Sequence, residues 1–391
     1  MALSKDRSLY APVSASYVLG YISAFTMPML VGSIMAGLNV SETEIGLIIS
    51  MELVGIAASS ILLSGKVGVL NLRHIALLGC VTAVLGHGLS IATDSLWLFI
   101  FARTLAGVGE GATLAAGNAL AAHAQKPDRI FAVAQIAVSV FTMLLVASLP
   151  YLTDAWGYKA GILSVIAVIL LWFPAVSYFP VQPSTGPTNS TETRKIRFPN
   201  FYLGIMALTA FALMSTSDIA MWVFTERIGV SIGVSSETIG LLLSASTGMG
   251  LLGALLAAII SDRFGRLLPM TIVLLLLAAS NIGLSYAETV TVYSVSLLPL
   301  NMAILFLTPY FLGTLSTLDE QGSWTTLSGV VGPLAFAAGP LLAGMIIVDG
   351  SYTAVGWMTG GFAFAALLLM IYVLKALKSS DQTGPSPAAA C

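Results

Sequence analysis

Four ionisable side chains stand deep inside long apolar stretches of the sequence: Glu52, Arg103, Glu110 and Asp218. Placing such a group at the centre of a bilayer costs about 2.5–3.5 kcal/mol on insertion scales, so charges kept there line ion or substrate routes, or pair to hold helices together. Arg103 and Glu110 are seven residues apart, which sets them on nearly one face of a helix and roughly 10 Å apart along it. At that distance they do not simply pair. Glu52, Arg103 and Asp218 each fall roughly 10–12 Å from the expected outer end of their helices, where the three could neutralise one another. Glu110 is then the acid with the fewest partners, and a carboxylate whose proton depends on access is what proton coupling requires. Glu110, Asp218 and Glu52 are the candidate proton-handling groups, with Glu52 and Asp218 also placed to shape an outer gate.

A second tier of residues could contact a solute. Tyr17, Tyr21 and Phe25 recur every four residues and share one helix face. Asn118, Asn301 and Tyr310 are polar groups within apolar stretches, where interhelical hydrogen bonding is an equally good role. Gln135 carries the same ambiguity, and His87 is most simply a hydrogen-bonded core histidine. No metal-ligand cluster and no nucleophile–base arrangement is visible, so neither a metal, a cofactor nor an enzymatic activity is expected.

The elements that must position these groups follow from composition. Of 391 residues only 16 are Lys or Arg and 18 Asp or Glu, 57% are hydrophobic, and the mean hydropathy is +0.94. A soluble domain carries about 25% charged residues; 9% excludes a soluble enzyme, a nucleic-acid binder and a disordered chain. Unbroken apolar runs of about 20 residues also exclude the alternating pattern of a membrane β-barrel. Runs of spanning length fall near 14–38, 43–64, 74–93, 96–122, 130–153, 160–180, 200–225, 238–260, 267–287, 290–315, 323–348 and 353–376. Twelve spans are predicted, in two halves at 1–180 and 200–378, joined by a Pro- and Ser/Thr-rich cytoplasmic linker at 181–199 and followed by a flexible tail at 379–391.

The cations set the orientation. With both termini inside, thirteen Lys and Arg residues fall in inner segments and only Lys159 and Arg227 in outer loops. The halves also repeat. Ser41 to Ser50 (SETEIGLIIS) enters the second span as Ser235 to Ser244 (SSETIGLLLS) enters the eighth, and Ser41 with Glu44 forms a capping-box pattern. Both spans leave through a related loop, Ser64 to Gly68 and Ser261 to Arg266.

The second of those loops, Asp262-Arg263-Phe264-Gly265-Arg266, resembles the D-R-x-G-R motif of the major facilitator superfamily. The resemblance covers the whole chain: twelve spans, a six-plus-six repeat and a central inner linker. It implies an all-α integral membrane fold of two pseudo-symmetric six-helix bundles around a cavity that opens alternately to either side. It also implies a gating role for Asp262, Arg263, Gly265 and Arg266. In the fourth span, Arg103 to Gly111 (RTLAGVGEG) is similar to a motif of the anion:cation symporter branch and of the spinster-like lipid transporters. By motif position that likeness gives Arg103 the handling of an organic anion and Glu110 the proton. Gly107 and Gly111 add a small-xxx-small face on which a neighbouring helix can approach and slide.

The reading is a secondary active transporter in the plasma (inner) membrane, a monomer in the lipid bilayer. It moves a small organic solute by alternating access, in proton-coupled symport of an organic acid or related metabolite. Substrate-binding candidates are Arg103, Tyr17, Tyr21, Phe25, Asn118, Asn301 and Tyr310. The alternative is a proton-coupled efflux antiporter for amphiphilic or cationic compounds, since intramembrane charge is one cation against three acids. Residues 130–156 contain no glycine, however, and drug antiporters usually carry a glycine-proline motif in their fifth span. The Gly332-Pro333 and Gly339-Pro340 pairs fall in the eleventh span instead.

Overall fold

The computed structural model describes residues 8–64, 71–122, 124–179, 200–260, 263–318 and 323–382. The expected linker, the tail beyond residue 382 and Asp262 lie outside these residues, while the first four residues of the expected flexible tail, 379–382, continue the last helix. Among those described, regular structure is helical apart from one isolated bridge, Val348 with Ser351. The N-terminal half holds α1 (Tyr10–Thr26), α2 (Pro28–Leu38), α3 (Glu42–Ser64), α4 (Leu72–Ala92), α5 (Leu96–Ala122) and α6 (Pro127–Val176). The C-terminal half holds α7 (Phe201–Ser231), α8 (Ser236–Ile260), α9 (Leu267–Ser285), α10 (Val290–Leu297), α11 (Pro299–Thr317), α12 (Ser323–Ile346) and α13 (Thr353–Gln382).

Ten of the described helices or near-continuous helix pairs are long and apolar enough to cross a membrane, and the pair α1/α2, bent by 59°, makes an eleventh crossing. The bend falls where Pro28 removes a backbone donor and can only start a new helix; the same chemistry at Pro299 separates α10 from α11. The fifty-residue α6 would extend about 75 Å if straight, more than twice the hydrocarbon thickness. It turns instead at Gly157, whose φ of 71° suits a residue without a Cβ, and so supplies two crossings. The total is the predicted twelve. Helix starts follow local chemistry: Ser41 and Glu44 close the predicted capping box at α3, with bonds of 3.3 and 2.8 Å, and the Asn71 side chain accepts from the amides of Arg73 and His74 at α4.

In lipid there is no hydrophobic gain from bringing helices together, so close packing of small residues and interhelical hydrogen bonds must do it. In the N-terminal half α5 packs against α3 and α4, and α1 against α6; in the C-terminal half α7 packs against α12 and α13, and α8 against α11. Many large apolar side chains face outward, Leu62, Leu78 and Leu170 among them, as lipid-facing positions do.

The halves meet mainly through α3 with α12 and α6 with α8. These contacts repeat under the shift of 194 residues that carries Ser41 onto Ser235. Gly46 of α3 lies against the Pro340 carbonyl of α12, and its counterpart Gly240 of α8 against Val146 and Pro150 of α6. Ser50 Oγ accepts from the Leu341 amide at 3.0 Å; its counterpart Ser244 donates to the Met143 carbonyl at 2.7 Å. All of these residues lie toward the end that the charge bias assigns to the outside. The structure is therefore closed at that end.

Candidate functional site

The glycines of α5 determine which charges meet. A methyl group on Gly107 would overlap the Glu52 carbonyl, and one on Gly111 would overlap the Ile56 carbonyl and Ser59. The predicted approach at 107 and 111 is thus made by α3. Gly109, between them in sequence, faces another way: its methyl would overlap Ala83 and Gly79 of α4. Glycines on two faces of one helix bring both neighbours to backbone contact, so side chains of all three converge.

What converges is a chain of buried polar groups. Arg103 Nη2 donates to Glu52 Oε2 and, at 2.9 Å, to Ser23 Oγ of α1. Ser23 Oγ donates to Glu52 Oε1 at 2.7 Å. Arg103 Nη1 lies 2.9 Å from His87 Nδ1, and His87 Nε2 lies 2.9 Å from Glu110 Oε1. A guanidinium has donors only, so Nδ1 must accept, and the neutral ring carries its hydrogen on Nε2, where it donates to Glu110. Ser23, His87, Arg103 and Glu110 are fully buried and Glu52 is 1% exposed. Two atoms of this set, Arg103 Nε and Glu110 Oε2, have no hydrogen-bond partner among the described residues.

The seven-residue gap between Arg103 and Glu110 is thus bridged by His87. Sequence reasoning left His87 out of the site because its partners lie on another helix. The network is also confined to one half. Asp218 of α7 is not among the partners of Arg103; it is buried, with no hydrogen bond or ion pair among the described residues. Beside it, Ser217 donates to the Thr359 carbonyl at 2.8 Å and accepts from Asn281 at 2.9 Å. Under the same shift of 194 residues, Ser217 corresponds to Ser23, Asn281 to His87, Ser246 to Glu52 and Leu297 to Arg103. The C-terminal half thus holds an uncharged counterpart of the network.

Glu52, His87 and Glu110 offer ligand atoms within 4.8 Å of one another, a spacing that could hold a cation. The Arg103 guanidinium is already bonded to two of the three and supplies the positive charge there.

The aromatic residues of α1 form a continuous column. Tyr17 meets Tyr21 edge-on at 5.7 Å, Tyr21 stacks on Phe25 at 5.5 Å, and Tyr17 also reaches Phe131 of α6 at 6.0 Å. Tyr17 donates to Asn118 Oδ1 of α5 at 2.8 Å. All three rings are half-buried and Asn118 is exposed, so the column borders open space. Asn301 instead donates to Ser246 at 3.2 Å, tying α11 to α8. Tyr310 is buried and stacked on Phe306 at 5.1 Å. In the loop before α9, Gly265 has φ 66° and Arg266 donates to the Gly313 carbonyl at 2.9 Å; the Arg263 amide bonds the Ile260 carbonyl at 3.0 Å.

A further buried acid was missed in sequence. Hydropathy predicts the seventh span at 200–225, but α7 runs to Ser231, which brings Glu226 and Arg227 inside the helix. Glu226 is 8% exposed and packs with Arg227 against Gly32 of α2, on the closed side.

Comparison with known proteins agrees with this architecture. The sequence profile of the Major Facilitator Superfamily matches residues 13–318 and 206–390. Among solved structures, the nucleoside transporter NupG superposes with a TM-score of 0.74 at 12% identity, over 94% of this chain and 99% of that one. The D-xylose-proton symporter gives 0.72 at 16% identity, over 93% and 96%. A variant of the peptide transporter POT gives 0.73 at 13% identity, over 95% and 94%. At such identities these likenesses speak to the fold. With the profile match over most of its length, twelve crossings and two repeated bundles, the chain belongs to the major facilitator superfamily.

Proposed function

We propose that the protein is a proton-coupled symporter that moves a small organic acid or related metabolite by alternating access. Glu110 carries the proton and Arg103 meets the anionic group of the solute. The observation that carries the reading is the buried chain from Glu52 through Arg103 and His87 to Glu110. With Glu52 and Glu110 ionised, Arg103 charged and His87 neutral, the network bears one net negative charge in a medium where charge is costly. One proton on Glu110 neutralises it. An anionic solute at Arg103 competes with Glu52 for the same guanidinium donors and adds a negative charge, so solute and proton are favoured together. The half-buried rings of Tyr17, Tyr21 and Phe25 offer the apolar wall such a solute needs. Proton symport is also what the D-xylose-proton symporter, a structural relative, is described as doing.

The same reading places residues 1–180 and 200–378 as the two moving halves, in a plasma (inner) membrane with both termini cytoplasmic. The protein works as a monomer. The decisive experiment uses proteoliposomes with an imposed proton gradient and a panel of labelled carboxylates. Glu110→Gln should abolish gradient-driven accumulation while leaving solute exchange at equilibrium intact. Undiminished accumulation overturns the assignment.

One observation favours a second reading, efflux of cationic or amphiphilic compounds. Asp218 in the C-terminal half is an acid with no hydrogen bond or ion pair among the described residues, as a cation site would need. Symport removes external protons when solute is added to energised cells; antiport does not.

A further inference from the structure

On the closed side, α2, α6, α7 and α8 border a partly open cavity of about 480 Å³, within the size range of small-molecule sites. It lies on the seam between the halves, and none of its lining residues belongs to the Arg103 network. Glu226 and Tyr158 line it, and both are more than nine-tenths buried. Glu226 Oε2, Tyr158 Oη and Arg227 Nε are buried there without a hydrogen-bond partner among the described residues. Three unpaired polar atoms around one cavity are a costly arrangement unless something occupies it.

The lining selects the occupant. Asp154 and Glu226 face a single guanidinium, Arg227, whose Nη1 would lie 2.9 Å from a methyl group on Gly32. The cavity therefore favours a positive guest. It does not suit a bare metal ion, because among the described residues the acids here do not gather with a third ligand; the cluster that does is Glu52, His87 and Glu110. Met29, Ala36 and Val230 add apolar wall. We propose that this cavity binds a small organic ammonium ion, its N–H groups on Glu226 and Asp154 and a hydroxyl or amine tail reaching Tyr158. Because the lining comes from both halves, the site exists only while the outer end is closed. Its ligand therefore holds that state and slows transport. The site is independent of the proton role of Glu110.

The test uses the full chain in lipid nanodiscs with two probes of equal length, 5-amino-1-pentanol and 1,5-pentanediol. The amine should raise the melting temperature saturably at concentrations at least about tenfold below the diol. Glu226→Gln should abolish that difference, Asp154→Asn, at an exposed position, should weaken it, and Glu110→Gln should leave it unchanged. A cysteine at Ser50, on the closed seam, should be labelled from outside more slowly when the amine is present. The proposal fails if the two probes act alike, if neither Glu226→Gln nor Asp154→Asn alters the response, or if labelling is unaffected.

Discussion

The guanidinium of Arg103 fixes His87 as the tautomer protonated on Nε2. Arg103 Nη1 sits 2.9 Å from Nδ1 and can only donate, so the ring has no freedom to turn its hydrogen that way. The remaining N–H is then committed to Glu110, 2.9 Å away. A change at Arg103 is thereby felt at Glu110 without the two side chains touching.

The tautomer can be read directly. In protein labelled with ¹⁵N-histidine, His87 should show a protonated Nε2 and a bare Nδ1. Arg103→Leu should add an Nδ1–H population, whereas Arg103→Lys, which still donates, should preserve the original pattern. An unchanged His87 spectrum in Arg103→Leu would remove the bridge from the mechanism.

The buried pair should be far more costly to halve than to delete. Glu52→Gln leaves the Arg103 charge without its carboxylate, and breaking such pairs costs about 3–5 kcal/mol. The double variant Glu52→Gln with Arg103→Gln should recover most of that loss. Unfolding in mixed micelles measures both, and a double variant less stable than either single one would contradict the pairing.

Glycine positions on α5 should differ from glycines that face open space. Gly107→Ala and Gly109→Ala place a methyl into the backbones of α3 and α4 and should each cost about 1–3 kcal/mol. Gly88→Ala, in α4 with nothing within 4 Å, should be neutral or stabilising by up to about 1 kcal/mol. Equal effects at 107 and 88 would contradict the close approach.

Bulk at the seam should hold the outer end open. Gly46 and Gly344 lie against the backbone of the opposite half, so Gly46→Trp or Gly344→Trp should favour the outward-open state. A cysteine at Ser50 would then react with impermeant maleimide at least about tenfold faster. Unaltered labelling would mean that α3 and α12 do not form the outer closure.

Much of this was legible in the sequence, and the failures have physical causes. Chain-local chemistry read well: the capping box at Ser41, the small face at 107 and 111, and the charges forced into apolar runs. Relations across helices did not. Spacing placed Arg103 and Glu110 too far apart to pair, and nothing within α5 indicates that a ring from α4 fills the gap. Asp218 was grouped with Arg103 because both sit at similar depths, but depth carries no information about which half of the molecule a side chain faces. Glu226 escapes a hydropathy reading because the span is ended at two adjacent charges, Glu226 and Arg227, whereas backbone hydrogen bonding continues α7 to Ser231. The break at Pro28 was visible as a residue but not as a 59° bend.

The uncharged counterpart of the network, Ser217 with Asn281, has a consequence for how such a protein diversifies. Two copies of one scaffold stand side by side, and the copy holding Ser23, Glu52, His87, Arg103 and Glu110 has its charged groups tied to one another at these positions. A neutral Ser–Asn pair tolerates exchange of one hydrogen-bonding residue for another, so the second copy is free to vary. New hydrogen-bonding preferences can arise there while the charged network stays untouched, much as a tool head is changed on an unaltered handle.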